Sequence, residues 1–315
     1  MSLHPMPASR EEWLANRMRY VGASETAALW GVQPAYALSH YALWHVKRGL
    51  AEPPKVEGKR ITWGNRLEEV VALAAAEEEG FEVSKGRYAI CDDCPGMAAS
   101  LDFEITADPK GEFSGPGVLE TKNVDWLIHR RSWTDGEPPL HILLQLQQQL
   151  ACTGWQWGAV ASLIGGNELR VYRYAARPAL IAQIKARVAA FWSSKMPPPV
   201  DGSDSAAHVL RELYPEPTDD ALDLSESNEF PEAVQAFLDA TAAKKAASEA
   251  YDDARNRAAA LLEGHKRAWG SGYSLSVSIT AAKPDRPAKA DEIIKGRAET
   301  RRYIARFTDQ MESAA

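Results

Sequence analysis

Ala98-Ala99-Ser100-Leu101-Asp102-Phe103 and Gly117-Val118-Leu119-Glu120-Thr121-Lys122 read as two short strands, each presenting one carboxylate. In an extended strand residues i and i+2 share a face, so Glu120 and Lys122 point the same way and Thr121 points into the opposite layer. A carboxylate and an ammonium side by side, facing a second carboxylate, are costly to bury as structure alone. The same grouping suits a centre that holds a divalent cation and a water beside a phosphodiester. An isolated Glu-x-Lys on a strand is ordinarily a solvated cross-strand pair, so the reading depends on what surrounds it.

Helical patterns precede the two strands at Glu11 to Arg19 and Ser24 to Trp30, the second with Ser24 as its N-cap and Gly31 and Pro34 at its end. Asn65 to Glu79 carries Leu67, Val70, Val71 and Ala74 at helical spacing and stops at Gly80, with Glu68 one turn in. Extended segments follow at Arg87 to Ile90, Ala98 to Ile105 and Val118 to Asn123, then a helix from His141 to Thr153. Trp157 to Leu163 and Glu168 to Tyr174 form a hairpin pattern through Gly165-Gly166-Asn167, and Pro178 opens a helix to Trp192. Helix, three strands, helix, strand is the core order of the PD-(D/E)XK nucleases. The expected fold class is therefore α/β, a restriction-endonuclease-like core with a central mixed sheet flanked by helices, carrying a C-terminal helical plus β accessory region.

Five motifs sharpen that expectation: Arg17-Met18-Arg19-Tyr20-Val21-Gly22-Ala23-Ser24, Trp63-Gly64-Asn65-Arg66-Leu67-Glu68, Ala99-Ser100-Leu101-Asp102, Leu119-Glu120-Thr121-Lys122, and Gln145-Leu146-Gln147-Gln148-Gln149-Leu150 with Thr153-Gly154. Together and in this order they resemble the lambda exonuclease and YqaJ-type viral recombinase family, over roughly residues 13 to 195. Hydrolysis of a phosphodiester needs a nucleophilic water, charge stabilisation at the phosphoryl oxygens and help for the leaving oxygen. Asp102 and Glu120 are hard oxygen ligands suited to Mg2+, with Mn2+ as substitute, and the resemblance adds the backbone carbonyl of Thr121. Glu68 would serve a second metal or its water shell, Lys122 would orient the attacking water, and Gln145 would hydrogen-bond the water or a phosphate oxygen without adding charge. Glu69 is expected to face solvent, and Gln147, Gln148 and Gln149 to be helix surface.

The resemblance also implies that Arg17 and Ser24 bind a terminal 5'-phosphate; a guanidinium and a hydroxyl near a helix N-terminus are apt anion ligands. Its expected substrate is the end of double-stranded DNA, degraded from the 5' end to leave a 3' single strand. A ring-shaped homo-oligomer, with three subunits as one form, and a single-strand annealing protein as partner are further implications. The sequence departs from the family where Phe103 follows the motif Asp in place of Gly and Leu101 precedes it in place of Pro. The strand is then expected to run on past Asp102, placing Glu104 on the same face, where it either reaches the metal site or, the favoured reading, is solvated at the strand end. Two other readings stay open: an endonuclease or repair nuclease on the same core, and a catalytically silent DNA-binding module.

The net charge of -7 is unevenly spread over the 315 residues. Asp201 to Glu232 carries ten acids against one base, whereas residues 266 to 306 carry ten bases against four acids. Met196-Pro197-Pro198-Pro199 opens the acidic stretch, so we divide the chain into a nuclease core at 1–196, an acidic Pro/Ser-rich linker or surface belt at 197–230, and an accessory region at 231–315. That region should hold one long helix or a helical pair over Pro231 to Gly264, a strand over Ser274 to Thr280, and a basic patch with Trp269, Tyr273 and Tyr303 interleaved. No apolar run reaches membrane-span length, and the expected location is the cytoplasm of a bacterial host, with a phage or prophage source. Three cysteines form no disulfide framework; Cys91 and Cys94 hint at a structural metal only weakly, because a cluster needs a fourth thiolate. His129, Arg130 and Arg131 are expected on a DNA-facing loop.

Overall fold

The computed structural model describes residues 2–54, 58–109, 111, 113–133, 136–216 and 218–282, with the backbone course of 286–287, 293–294 and 300–307. It forms two units, Met1–Pro217 and Thr218–Ala315. In the first, β1 (Ser2–His4), α1 (Arg10–Arg19), β2 (Val21–Gly22), a 3-10 helix (Ala23–Trp30) and α2 (His40–Lys47) lead into the long α3 (Lys59–Glu79). Then come β3 (Glu82–Lys85), β4 (Tyr88–Ile90), β5 (Met97–Ser100), β6 (Phe103–Ala107) and β7 (Gly117–Val124). The unit closes with α4 (Trp126–Ser132), α5 (Leu140–Thr153), β8 (Trp157–Ile164), β9 (Glu168–Ala175), α6 (Pro178–Ser193) and α7 (Asp204–Leu213).

Five strands make the main sheet in the order β3-β6-β7-β8-β9, antiparallel except for the parallel β7–β8 pair. Strand alternation sends Leu119, Ala159 and Ala161 to one face, where Val71, Ala72 and Ala75 of α3 cover them. Val118 and Val160 line the other, beneath Leu146 and Leu150 of α5 and Ile184 of α6. This is the mixed sheet between helical layers that the element order implies. A second sheet, β1-β4-β5-β2, packs against α5 and the 3-10 helix.

The expected single strand from Ala98 to Ile105 is two strands, β5 and β6, in different sheets. The cause is a corner. Leu101 N–H donates to Arg87 O at 3.1 Å and Gly86 N–H donates to Asp102 O at 3.1 Å, so the ribbon formed by β3–β4 and β5–β6 bends as one piece between the sheets. A Cβ on Gly86 would lie 2.0 Å from Leu101 O, so only glycine fits at the crossing. Asp102 is thereby removed from the ladder, and its side chain swings to β7.

Part of the expected linker is folded. Ala206 and Val209 of α7 are buried against Tyr41 and Ala42 of α2, which draws the acidic stretch to residue 217 into the first unit. In the second unit α8 (Glu229–Ala260) is one 32-residue helix, with Pro231 tolerated in its first turn where no intrahelical donor is needed. A three-stranded antiparallel sheet, β10 (Arg267–Gly270), β11 (Tyr273–Thr280) and β14 (Thr300–Phe307), follows with the short ribbon β12 (Arg286–Pro287) and β13 (Ile293–Ile294). Trp269 and Tyr273 are exposed there. The side chains of Tyr303 and of the bases from 283 onward lie outside the described residues.

Candidate active site

Beyond Leu119 strand β7 has lost β6 as a neighbour, because the register Phe103↔Leu119 is the last before the corner. Asp102 fills the vacated edge. Its Oδ2 accepts from the Thr121 backbone N–H at 2.9 Å and from Thr121 Oγ1 at 3.0 Å. A strand residue directs its N–H and C=O to the same side, so the Thr121 carbonyl faces the edge that Asp102 occupies. Thr121, on the opposite face of β7 from Glu120 and Lys122, is thus joined to Asp102 at the strand edge by both its N–H and its hydroxyl. Asp102 Oδ1 carries no hydrogen bond among the described residues.

Glu120 is almost fully buried at 1% exposure. Lys122 Nζ donates to its Oε1, as does Gln145 Nε2 at 2.6 Å, and Gln149 Nε2 donates to Oε2 at 2.6 Å. Gln145 Oε1 in turn accepts from Lys122 Nζ at 3.3 Å. Gln145 and Gln149 are four apart on α5, one turn of a helix face, which is how a single helix supplies both amides. Gln149 also donates to Ser100 O at 3.3 Å, tying the carboxylate to β5.

These groups border a cleft of about 320 Å3 whose wall includes Gly64, Asn65, Leu67, Glu68 and Val71 from α3, then Asp102, residues 120–123 and Gln145. Burial, reinforced by the charge of Glu120 and opposed by Lys122 and the Thr121 N–H, pushes Asp102 up to about 8. Burial acts to depress Lys122, but Glu120 and Asp102 outweigh it and hold the ammonium above its ordinary value. Burial also raises Glu68, with Lys85 opposing. The cluster thus holds more negative than positive charge in a poorly hydrated place, and a cation entering it replaces the proton that Asp102 otherwise retains.

The donor set fits a hard divalent ion: a free carboxylate oxygen on Asp102, a spare lone pair on Glu120, and the Thr121 carbonyl at the same edge. Among the described residues no three His, Cys, Asp or Glu side chains converge in metal-binding geometry. Glu68 therefore lines the cleft without joining the pair as a third direct ligand in this arrangement.

Arg17 and Ser24 lie outside the cleft wall. Arg17 Nη2 is engaged with Glu25 Oε1 at 2.6 Å and its guanidinium stands 4.7 Å from the Trp13 ring centre. Glu25 Oε2 accepts from Lys47 Nζ at 2.6 Å and from the Gly22 N–H at 2.8 Å. The N-cap of the 3-10 helix is thus Gly22, with Glu25 turning back upon it; Ser24 is exposed within the first turn and is not the cap.

Other expectations need correction. Glu104 neither reaches the cleft nor meets solvent: it is buried and bidentate with Arg87 at 2.7 and 2.8 Å. Gln147, Gln148 and Gln149 are buried rather than surface. Gln147 accepts from the Arg177 N–H at 2.7 Å, and Gln148 donates to Val21 O at 2.8 Å and Ala98 O at 3.1 Å, clamping three segments onto α5. A run of glutamines in a helix otherwise rich in Leu, with Ile and Ala, was the available signal for Gln149, because a buried amide needs partners. Glu69 is exposed as expected, paired with Lys85 at 3.3 Å. His129, Arg130 and Arg131 sit on helix α4, not on a loop. Cys91, Cys94 and Cys152 are buried free thiols; Cys91 Sγ donates to Asp93 Oδ1 at 3.0 Å and Cys94 Sγ to Lys185 O at 3.6 Å.

The family model described as YqaJ-like viral recombinase domain matches residues 12–156, the stretch that carries Arg17, Glu68, Asp102, Glu120, Lys122 and Gln145. Residues 12–156 are a YqaJ-like viral recombinase domain. YqaJ of Bacillus subtilis (strain 168), an uncharacterised protein, is 26% identical over 238 residues, which are 73% of this chain and 71% of that protein. Among solved structures, the alkaline exonuclease LHK-Exo from Laribacter hongkongensis aligns with 58% of this chain and 91% of its own at 25% identity and a TM-score of 0.47. A phage-related exonuclease from Haemophilus somnus 129PT covers 66% and 91% at 13% identity and a TM-score of 0.34. In the YqaJ-like domain of this chain the corner, β7 and α5 all contribute to the cleft. Among the described residues no helix is long and apolar enough to cross a membrane.

Proposed function

We propose that this protein is a metal-dependent DNA exonuclease of phage-type recombination, hydrolysing linear duplex DNA from its 5' end and leaving a 3' single strand. The observation that carries the reading is the joining of Asp102, Glu120, Lys122 and Gln145 at one cleft within a YqaJ-like domain. Asp102, Glu120 and the Thr121 carbonyl would hold magnesium, with manganese as substitute, and Glu68 would hold water at the cleft wall. Magnesium, when bound, supplies Lewis acidity toward the phosphate oxygens and the attacking water.

Lys122 keeps its proton, because Glu120 and Asp102 hold its affinity up, so its part is to orient water and offset charge on the phosphoryl group. Gln145 fixes Lys122 and Glu120 relative to each other and can turn its amide to a phosphate oxygen. Gln149 keeps Glu120 in its rotamer from behind. Arg17, with Lys47, puts two cations beside Glu25, an excess of positive charge suited to a 5'-phosphate.

The test is digestion of linear and closed circular duplex with magnesium, with and without a 5'-phosphate. Linear duplex should be consumed and closed circles spared, and Arg17→Ala should lower the preference for a 5'-phosphate over a 5'-hydroxyl about tenfold. Digestion of closed circles would replace the exonuclease with an endonuclease. No digestion of any DNA would favour a silent binding module.

A further inference from the structure

Two half-exposed tryptophans adjoin residues of the cleft wall along the chain, and each has an arginine over its ring. Trp63 adjoins Gly64 of the cleft wall, is half exposed, and has the Arg66 guanidinium 5.4 Å from its ring centre. Trp126 begins α4 three residues after Asn123, the last wall residue of β7, about 10 Å onward at strand rise. It too is half exposed, with Arg130 at 4.8 Å. The spacings, three residues in α3 and four in α4, place each arginine on the same helix face as its tryptophan. About half of each tryptophan stays open to solvent, Trp63 at 51% and Trp126 at 50%.

Neither ring is buried: α4 buries none of its residues, and Trp63 stays half exposed one and two turns before Leu67 and Val71 of the cleft wall, on the same stripe of α3. The helix segments that carry the rings are basic, with Asp125 as the cap of α4. From Lys59 to Leu67, α3 carries Lys59, Arg60 and Arg66 and no acid, and α4 carries Arg130 and Arg131 and no acid. An aromatic ring backed by a guanidinium, within a basic margin, next to a carboxylate centre, matches a polyanion that also presents flat apolar groups. That is the chemistry of a nucleic-acid strand whose bases are unpaired.

Building on the nuclease reading, we infer that Trp63 and Trp126 are stacking platforms for unpaired nucleobases on either run of strand that meets the cleft. Arg66 and Arg130 hold the rings and meet the adjoining phosphates. Stacking is indifferent to sequence because every base has a π-face, so the platforms serve processing of any DNA end.

The test uses the full chain without metal, so that binding is read apart from hydrolysis. Fluorescence anisotropy compares a labelled oligothymidylate with an abasic strand of equal length. Trp63→Ala and Trp126→Ala should each lower the ratio of affinities, base-bearing over abasic, about tenfold, and Trp63→Phe and Trp126→Phe should restore most of it. An equal loss on both strands, or no loss on either, overturns the assignment. So does a fall of Trp126→Ala from oligomer to monomer in sedimentation with binding otherwise kept, which makes the face a contact between copies. If the wild type prefers the base-bearing strand but cleaves no DNA with magnesium, the platforms stand and the nuclease reading fails. If it cleaves and the tryptophan variants keep the full ratio, the platforms fail alone.

Discussion

Glu120 and Glu25 are both carboxylates held by cations in the first unit, yet their surroundings are built in opposite ways. Glu25 has two cations, Arg17 and Lys47, so its own charge is fully met and one positive charge is left over. Burial raises that carboxyl, but the two cations outweigh it and hold it below its ordinary range. Glu120 shares one cation, Lys122, with Asp102, and Glu68 lies on the same cleft. The deficit appears as a proton retained by Asp102 up to about 8. A buried carboxylate whose charge is met by its neighbours stays ionised; one that is under-compensated beside an open cleft leaves a proton on its partner acid and suits a cation.

Breaking each cluster should therefore show up in a different measurement. Glu120→Gln keeps the shape and removes a charge from the cation site, so DNA hydrolysis should fall about a thousandfold or more with the melting temperature held or raised. A melting temperature that falls with activity retained would make Glu120 a structural residue. Lys47→Ala leaves Glu25 buried with only the half-exposed Arg17, and should cost about 3 to 5 kcal/mol of stability, roughly 10 °C in thermal unfolding. Unchanged unfolding would show that Glu25 is not dependent on its buried partner.

The two clusters also differ in the sign of their pH dependence. Asp102 has a raised affinity for protons in the folded chain, so its contribution to stability is full below its unfolded value near 4 and is lost as pH rises to about 8. Glu25 is the reverse, its contribution present above the unfolded value and lost as pH falls through the folded one. Under the proposed function magnesium would compete with the Asp102 proton, so apparent magnesium affinity should strengthen by up to about tenfold per pH unit until about 8. Unfolding scans with and without magnesium across that range check it; a magnesium effect flat in pH removes Asp102 from the cation site. The smallest effect belongs to Gln149→Ala, which frees one oxygen of Glu120 and should weaken magnesium activation by about tenfold, the usual scale for outer hydrogen-bond partners. An unaltered magnesium titration would confine Gln149 to packing.

Much of the first unit was legible because its signals are local. The alternation of β7, the glycine stop of α3 at Gly80 and the proline start of α6 each act within a few residues. The break at Asp102 was not, because its cause is Gly86, sixteen residues earlier, passing under Leu101. Glu104 was misplaced for the same reason: the corner turns it toward Arg87 rather than the cleft.

By itself the chain determined which chemistry was available: an acid pair with a lysine two residues on, a helix acid, an amide-rich helix and five motifs in order. These are statements about residue type and spacing, and they survive without coordinates. Only the tertiary structure decided which oxygens remain free, that Gln149 stands behind Glu120, that Arg17 is engaged by Glu25, and that Trp63 and Trp126 are left exposed with an arginine over each ring. Those outcomes depend on contacts between segments far apart in sequence, where burial and partner charge, rather than local pattern, set the energy.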